Sequence, residues 1–412
     1  MLRVNPFAAL RPRPGLAAEI AAVPYDVVNT EEARRLAAGN PRSFLHVSRS
    51  EIDLPDSTNP YSPVVYERAA QNFQALTREA FLREDAPSIY LYRQEMDLLG
   101  KRMSQLGVVT CCHVEDYNAD IIKRHEKTRR DKEDDRTRHV LALRANAGPV
   151  FLMFRDRPSL ATLLARDSER EPLYDFVSLD GVRHTVWRTP APEPYVREFA
   201  ATECAYVADG HHRIASAARA AAELRAQEPG RTGEREYDWF LSVLFPASQL
   251  SILPYHRVLL ELNGLTPARL IERLRQVASV SETSEALPRA PGSFGMYIDG
   301  RWHLVTLDPA SIDHSSPIGS LDYSLLSERV LGPIFGIEDI RSDQRIDFVG
   351  GIRGTGELER RVSAGKAKVA FAMHPTSIEQ LFRVADAGEI MPPKSTWFEP
   401  KLRSGLLVHT FD

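Results

Sequence analysis

The hydrophobic and polar positions alternate with two periods along this chain, one suited to helices and one to strands. NTEEARRLAAG, residues 29–39, predicts a helix, with Asn29 or Thr30 as cap, acids in the first turn and Gly39 as a stop. VPYDVV before it, 23–28, is a short apolar run broken by Pro24. SFLHVSR, 43–49, alternates Phe44, His46 and Ser48 with Leu45, Val47 and Arg49, which predicts a strand. Residues 53–63 hold three prolines and read as an exposed loop. Residues 64–83 predict a long amphipathic helix with Val65, Ala69, Phe73, Leu76 and Ala80 on one face.

Strands dominate the middle of the chain. SIYLYRQEM (88–96) and LGVVTCCHV (106–114) read as a pair joined by a polar turn, and PVFLMF (149–154) as a buried strand. The stretch 188–195, with Pro190, Pro192 and Pro194, reads as a connector. CAYVADG (204–210) is a strand leading into an alanine-rich helix from about Ile214 to Gln227. WFLSVLFP (239–246) and LSILPYHRVL (250–259) are apolar strands. The composition shifts near Leu287–Gly292, which places a boundary between a catalytic region, 1–287, and a C-terminal α+β domain, 288–412. In that second part FGMYIDGRWHLVTL (294–307) predicts a hairpin turning through Asp299-Gly300, and KVAFAMHP (368–375) a strand. Mixed helices and strands throughout give an α/β (α+β) fold class.

The chain of 412 residues exceeds what one core supports, so two domains are expected. Its 52 basic and 56 acidic residues leave a net charge of −4, which argues against wholesale attraction to nucleic acid or membrane. Cys111 and Cys112 are adjacent and Cys204 stands apart, a poor basis for disulfides or a zinc site. No apolar run approaches membrane-spanning length, and the first residues lack the apolar core of a secretory signal. The expectation is a cytoplasmic protein with a small-molecule substrate, and no nucleic-acid or membrane partner.

The densest chemistry is Asp209-Gly210-His211-His212-Arg213, between an apolar strand and a helix. Backbone N–H groups and the positive end of a helix dipole converge at such a junction and attract anions. Gly210 lets backbone approach a phosphate, Arg213 can clamp its oxygens, and His211 and His212 can donate to phosphate or carry protons. Asp209 can accept a proton or hold a metal ion; the plainer alternative makes it a helix cap. The second constellation is IKRHEKTRRDKEDDRTRH, 121–138. On a continuous helix His125, Arg129, Lys132 and Arg136 form one basic stripe, with Glu126 at its edge; the alternative is a solvated helix laced with ion pairs. MPPKSTWFEPKL (391–402) reads as a lid or a packed loop, while GGIRGTG (350–356) lacks both the P-loop ending and the Rossmann spacing. His113, His184 and His303 lie in strand contexts and read as structural.

NPFAALRP near the start, PYDVVN at 24–29, NPRSFLHV at 40–47, IKRHEKTRRDKEDDR, YVADGHHR and MPPKSTWFEPKL resemble a widespread prokaryotic family catalogued as a domain of unknown function, over about residues 1–410. More distantly, the strand–DGHHR–helix signature is similar to the ParB/sulfiredoxin superfamily, which includes kinases of free L-serine. That likeness implies a mixed-sheet catalytic core and nucleotide phosphates at the start of the helix, carried over onto Asp209, Gly210, His211, His212 and Arg213 alone. No helix-turn-helix is evident, which counts against DNA segregation, and no cysteine lies in the turn, which counts against sulfinic-acid repair.

Together these readings point to phosphoryl transfer onto the hydroxyl of a small metabolite, with free L-serine the best single acceptor. The donor is expected to be ATP, ADP or pyrophosphate, with Mg²⁺ bridging its oxygens. Gly210 and Arg213 are expected to cradle phosphate, with Lys123, Arg124, His125, Arg129, Lys132 and Arg136 neutralising charge. Asp209 or Glu126 would accept the hydroxyl proton, with His211 and His212 assisting and Asp209 also the candidate metal ligand. The rival class is a sensor that binds a nucleotide or phosphorylated metabolite without turnover. An esterase or phosphatase would need a nucleophile beside Asp209, and the sequence supplies none.

Overall fold

The computed structural model describes residues 1–98 and 100–411. It divides the chain into two compact units. The first comprises Met1–Arg124, Thr128–Leu250 and Pro400–Asp412, the second His125–Lys127 and Ser251–Glu399.

The first unit is built on a nine-stranded mixed sheet. Its strands are β1 (Val4–Asn5), β2 (Tyr90–Leu98), β3 (Lys101–His113), β4 (Ile122–Lys123), β5 (Val150–Phe154), β6 (Tyr174–Val177), β7 (Arg183–Arg188), β8 (Ala205–Asp209) and β9 (Trp239–Pro246). Their order is β4-β8-β5-β9-β3-β2-β7-β6, with β1 paired to β3. Only β4 with β8 and β5 with β9 run parallel; the other pairs are antiparallel. Every residue of β5 and β9 is buried, as continuous apolar runs require when a sheet is covered on both faces. The fold class expected from the sequence is the one observed.

Helices of this unit form where their ends are satisfied. In α1 (Thr30–Ala37) the Glu32 N–H donates to Asn29 Oδ1 at 2.8 Å and the Asn29 N–H to Glu32 Oε2 at 2.9 Å. Such a capping box holds the first turn, and losing the cap costs about 1 kcal/mol. Residues 43–49 do not form the expected strand; Leu45–Ser48 is a short helix, α2. Burial does not alternate there, since Phe44, Leu45, Val47 and Ser48 are all buried. The His46 ring, meanwhile, closes a local turn onto Asp53 Oδ1 at 2.7 Å and the Asn40 carbonyl at 3.1 Å.

The long helix α3 (Pro63–Glu79) buries Val65, Ala69, Phe73 and Leu76 as expected, but Phe81–Arg83 leaves it to pair as a strand with Leu10–Pro12. The charged block supplies α4 (Arg130–Leu143). The supposed proline connector contains α5 (Glu193–Ala200), since Pro192 caps it and Pro194 sits in the first turn, where no N–H is needed. The alanine-rich helix α6 (His211–Ala226) buries Ile214, Ala215, Ala217, Ala220, Ala221 and Leu224. Ile214, Ala217 and Leu224 belong to one core with Leu152, Val207 and Phe240 of the sheet.

The second unit carries a six-stranded antiparallel sheet of β10 (Tyr255–Leu259), β11 (Ala278–Thr283), β12 (Ser293–Ile298), β13 (Arg301–Leu307), β14 (Ile346–Gly350) and β15 (Val369–Met373). The order is β11-β13-β12-β15-β10-β14. The hairpin β12–β13 turns through Asp299 at φ 49° and Gly300 at φ 77°, the two positive values a type I′ turn needs. A boundary at 287/288 would cut this sheet between β11 and β12, so the division falls instead at Leu250/Ser251. The chain then rejoins the first unit, where Ser404 bridges Ala22, Val408 bridges Leu10, and His409–Thr410 pairs with Ala145–Asn146. Among the described residues no helix is long and apolar enough to cross a membrane.

Candidate functional site

Strand β8 ends at Asp209, Gly210 turns the chain at φ 97° and ψ 30°, and α6 begins at once with His211. The helix starts three residues before the expected Ile214, because the Ile214 N–H already donates to the Gly210 carbonyl at 3.0 Å. His211, His212 and Arg213 therefore form the first turn, whose N–H groups have no partner within the helix itself. Only glycine suits position 210. Its φ is positive, and a Cβ there would lie 3.0 Å from Cζ and Nε of Arg213.

Asp209 does not cap α6, which has no side-chain cap. One carboxylate oxygen accepts from Lys401 Nζ at 3.1 Å and the other is paired with the Arg213 guanidinium. Burial works to raise its pKa, but the charges of Lys401 and Arg213 prevail and hold the carboxyl below the ordinary range. Arg213 is the residue the sequence offered as a phosphate clamp. Its side chain is 10% exposed and folds inward, donating to Asp209 and to the Pro149 carbonyl. Burial pushes His211 down to about 3 against the pull of Asp209, so its imidazole is neutral near pH 7. His212 Nε2 accepts the Arg129 N–H at 3.0 Å, which puts any proton of the neutral ring on Nδ1.

The charged block reaches this turn in pieces. Lys123 lies on β4, in parallel register with Tyr206 of β8. Arg124 stacks over the Tyr117 ring at 4.9 Å, and its charge is among those that lower His211. The expected stripe does not form, because α4 starts only at Arg130 and Arg129 is its N-cap. His125 and Glu126 belong to the three-residue piece of the second unit. There the His125 carbonyl accepts the Met391 N–H at 2.8 Å and Nε2 meets Thr396 Oγ1 at 3.2 Å. Nor is the block of one sign in effect. Arg129 pairs with Asp131 at 2.8 Å, Arg136 with Asp135 at 2.8 Å, and Lys132 meets the Tyr61 hydroxyl at 2.7 Å. Arg219 of α6 ties the two helices through Glu133 at 3.3 Å and Asp134 at 2.6 Å.

Several further residues gather here. Lys401 comes from the end of MPPKSTWFEPKL, which the sequence offered as a lid or a packed loop. Tyr25, in PYDVVN, lies under the Arg136 guanidinium, 4.1 Å from ring centre to Cζ. Asp26 is exposed, and its charge acts on Arg213 and Tyr25. His139 Nε2 donates to the Val47 carbonyl at 2.9 Å, and burial pushes the pKa of this imidazole down to about 4. Arg257, 1% exposed, donates to the Lys394 carbonyl at 2.9 Å and the Pro393 carbonyl at 3.2 Å, pinning the proline loop. A Cβ on Gly351 would lie 2.7 Å from the Pro254 carbonyl, so that glycine answers to packing.

These features define a mixed α/β protein with a cation-lined strand-to-helix turn. The chain belongs to the family described as Protein of unknown function (DUF1015), whose model matches residues 4–324. A comparison with curated proteins finds no match. Among solved structures, a free serine kinase in complex with AMP is 12% identical with a TM-score of 0.37, the match covering 73% of this chain and 91% of that one. SbnI with a C-terminal truncation, from Staphylococcus aureus, is 14% identical with a TM-score of 0.39, covering 73% and 86%. A conserved hypothetical protein from Pyrococcus furiosus is 14% identical with a TM-score of 0.35, covering 73% and 94%. Likenesses of this size do not establish a shared fold.

Proposed function

We propose that this protein transfers a phosphoryl group from ATP, ADP or pyrophosphate to the hydroxyl of a small metabolite, free L-serine being the first acceptor to test. The observation that carries the reading is the start of α6, which has no side-chain cap, set beside Lys401 and Arg213, both of which pair with Asp209. An anionic donor would meet the N–H groups of the first helical turn, the helix dipole and the nearby Arg124. Asp209 is a weak candidate for the general base, since two cations stabilise its ionised form. Glu126 is therefore the preferred proton acceptor, with neutral His211, and with His212, as hydrogen-bond donors to the donor's oxygens.

Asp209 also fits the metal-ligand role poorly, because both of its oxygens are engaged. Among the described residues no group of three His, Cys, Asp or Glu is gathered to hold a metal ion. In this reading Mg²⁺ arrives on the phosphates of the donor, as part of the co-substrate. The engagement of Asp209 favours a second reading as well, a sensor that binds a nucleotide or phosphorylated metabolite without turnover. ³¹P NMR of the full chain with L-serine, Mg²⁺ and each donor tests the first reading, which predicts a new phosphomonoester resonance. Glu126→Gln separates the two: a kinase loses turnover and keeps donor affinity, whereas a sensor shows donor affinity and no resonance even in the parent.

A further inference from the structure

In the first unit, His46 of α2 turns both of its ring nitrogens toward acceptors. Nδ1 lies 2.7 Å from Asp53 Oδ1 and Nε2 lies 3.1 Å from the Asn40 carbonyl oxygen. A carboxylate and a backbone carbonyl have no proton to give in return. A neutral imidazole donates from one nitrogen alone, so both bonds form together only on an imidazolium. The geometry is that of the charged ring. The hydrogen bond to Asp53 raises the His46 pKa above the ordinary 6.5 in spite of partial burial, and the Asp53 charge and the Asn40 carbonyl add to the rise. Burial works to raise the Asp53 carboxyl, but His46, Asn72 and the Arg68 charge hold it below the ordinary range. The His46 and Asp53 side chains are 20% and 24% exposed, so solvent can deliver and remove the proton.

The ring straps together separate pieces of chain. Asn40 closes the turn before α2, where its carbonyl also accepts the Ser43 N–H at 3.1 Å and its Nδ2 donates to the Glu19 carbonyl at 2.7 Å. Asp53 ends the 3₁₀ turn Ser50–Asp53. From α3, Asn72 Nδ2 donates to the His46 carbonyl at 2.6 Å and to Asp53 Oδ2 at 2.7 Å, contacts that do not titrate with the ring. The other charges around α2 are engaged with one another or with backbone. Arg34 of α1 holds Asp56 and the carbonyls of Glu51, Ile52 and Leu54. Arg49 holds Glu51, and Arg42 holds Glu19. On the side of α4, His139 Nε2 donates to the Val47 carbonyl at 2.9 Å and Arg136 to the Ser48 carbonyl at 3.4 Å. Ser48, Arg136, His139 and Arg213 line one cavity of about 50 Å³, so α2 joins the strap to a wall that the turn at 209–213 shares.

We propose that His46 is a pH-operated strap on α2: the imidazolium fastens the Asn40 turn to the 3₁₀ turn, and the neutral ring lets the Asn40 turn go. When the proton leaves to solvent, Nδ1–H stays on the Asp53 carboxylate, the stronger acceptor, and the Nε2 lone pair is left facing the Asn40 carbonyl oxygen, where the two repel. The folded pKa lies above the unfolded value of about 6.5. The strap's stabilisation is therefore fully present below about 6.5 and is lost as pH rises through the folded value. Residues 40–48 loosen at the Asn40 end, while Asn72 keeps its hold on the His46 carbonyl. A falling pH tightens the cavity wall that Ser48 supplies, and a rising pH slackens it. The strap needs no phosphoryl donor, so it stands apart from the phosphotransfer reading.

Histidine-ring NMR of the full chain from about pH 5 to about pH 9, with His46 assigned from His46→Gln, reads the titration. Hydrogen exchange of residues 40–48, corrected for the chemical exchange rate, reads the strap. The expected results are a His46 midpoint above about 6.5 and, in the parent, local opening about tenfold greater at about pH 9 than at about pH 6. In His46→Gln the opening is already raised at the lower pH and rises no further. Asp53→Asn removes the carboxylate and keeps an oxygen in its place, and it lowers the His46 midpoint. Both substitutions lie at partly exposed positions and add no bulk, so the fold survives them. A midpoint at or below about 6.5, opening equal at the two pH values in the parent, or the same pH-dependent rise in His46→Gln would each overturn the proposal.

Discussion

Replacing Lys401 by methionine isolates the contact on which the turn's electrostatics depend. The ammonium lies 3.1 Å from Asp209 Oδ1, with the two side chains 12% and 25% exposed. At an effective dielectric constant of about 20, two unit charges at that distance attract by roughly 5 kcal/mol before desolvation is subtracted. Breaking a buried pair typically costs 3–5 kcal/mol, about. Here Asp209 keeps Arg213 on its other oxygen, so the expected loss is smaller, about 1–3 kcal/mol at pH 7. The pair also sets a pH signature. The folded pKa of Asp209 is depressed, so its stabilisation is complete above the unfolded value of about 3.9 and is lost as pH falls through the folded value. Without Lys401 the folded value rises towards the unfolded one, so the loss on acidification is smaller and is complete at a higher pH. Urea unfolding of the parent, Lys401→Met, Asp209→Asn and the double variant, at pH 7 and across the acid limb from about pH 5 down to about pH 2, measures both effects. A coupling energy below about 0.5 kcal/mol at pH 7, or acid limbs that coincide in parent and Lys401→Met, would refute the assignment.

Three other outcomes follow from the same geometry. Gly210→Ala should lose about 1–3 kcal/mol by calorimetry, since it forces a side chain to φ 97° with its Cβ 3.0 Å from the Arg213 guanidinium. Arg136→Met should cost about 3–5 kcal/mol in urea unfolding, because Asp135, 5% exposed, then keeps Tyr66 Oη as its close side-chain partner among the described residues; Arg136→Met with Asp135→Asn should recover part of that loss. His184 is pushed down to about 3 by burial and by the Arg403 charge, so the unfolded chain takes up its proton first. Stability should therefore rise with pH between about 3 and the unfolded value of about 6.5, and His184→Gln should flatten that slope in urea midpoints taken at pH 5 and pH 7.

Much of this protein is written in short stretches. The cap at Asn29, the I′ turn at Asp299-Gly300 and the buried runs of β5 and β9 are local signals, and each forms where the residues put it. So does the strand-to-helix turn at 209–213, because a glycine between an apolar run and an alanine-rich run leaves few other arrangements. Residues 43–49 misled for a physical reason: seven residues cannot distinguish alternation from all-round burial, and tertiary packing around Phe44 and Leu45 decides it. The charged block misled for another. A helical wheel through 125–136 presupposes one helix, whereas His125 is taken by Met391 and Thr396 before α4 begins.

What the tertiary structure alone decided is where each charge is spent. Asp209 and Lys401 stand 192 residues apart, and Arg213, legible as a phosphate clamp, turns inward to Asp209 and the Pro149 carbonyl. Local sequence sets backbone periodicity, because hydrogen bonds within a turn or helix reach only a few residues. A carboxylate leaving bulk water needs a cation wherever the folded chain can supply one, and no local pattern records which cation that is.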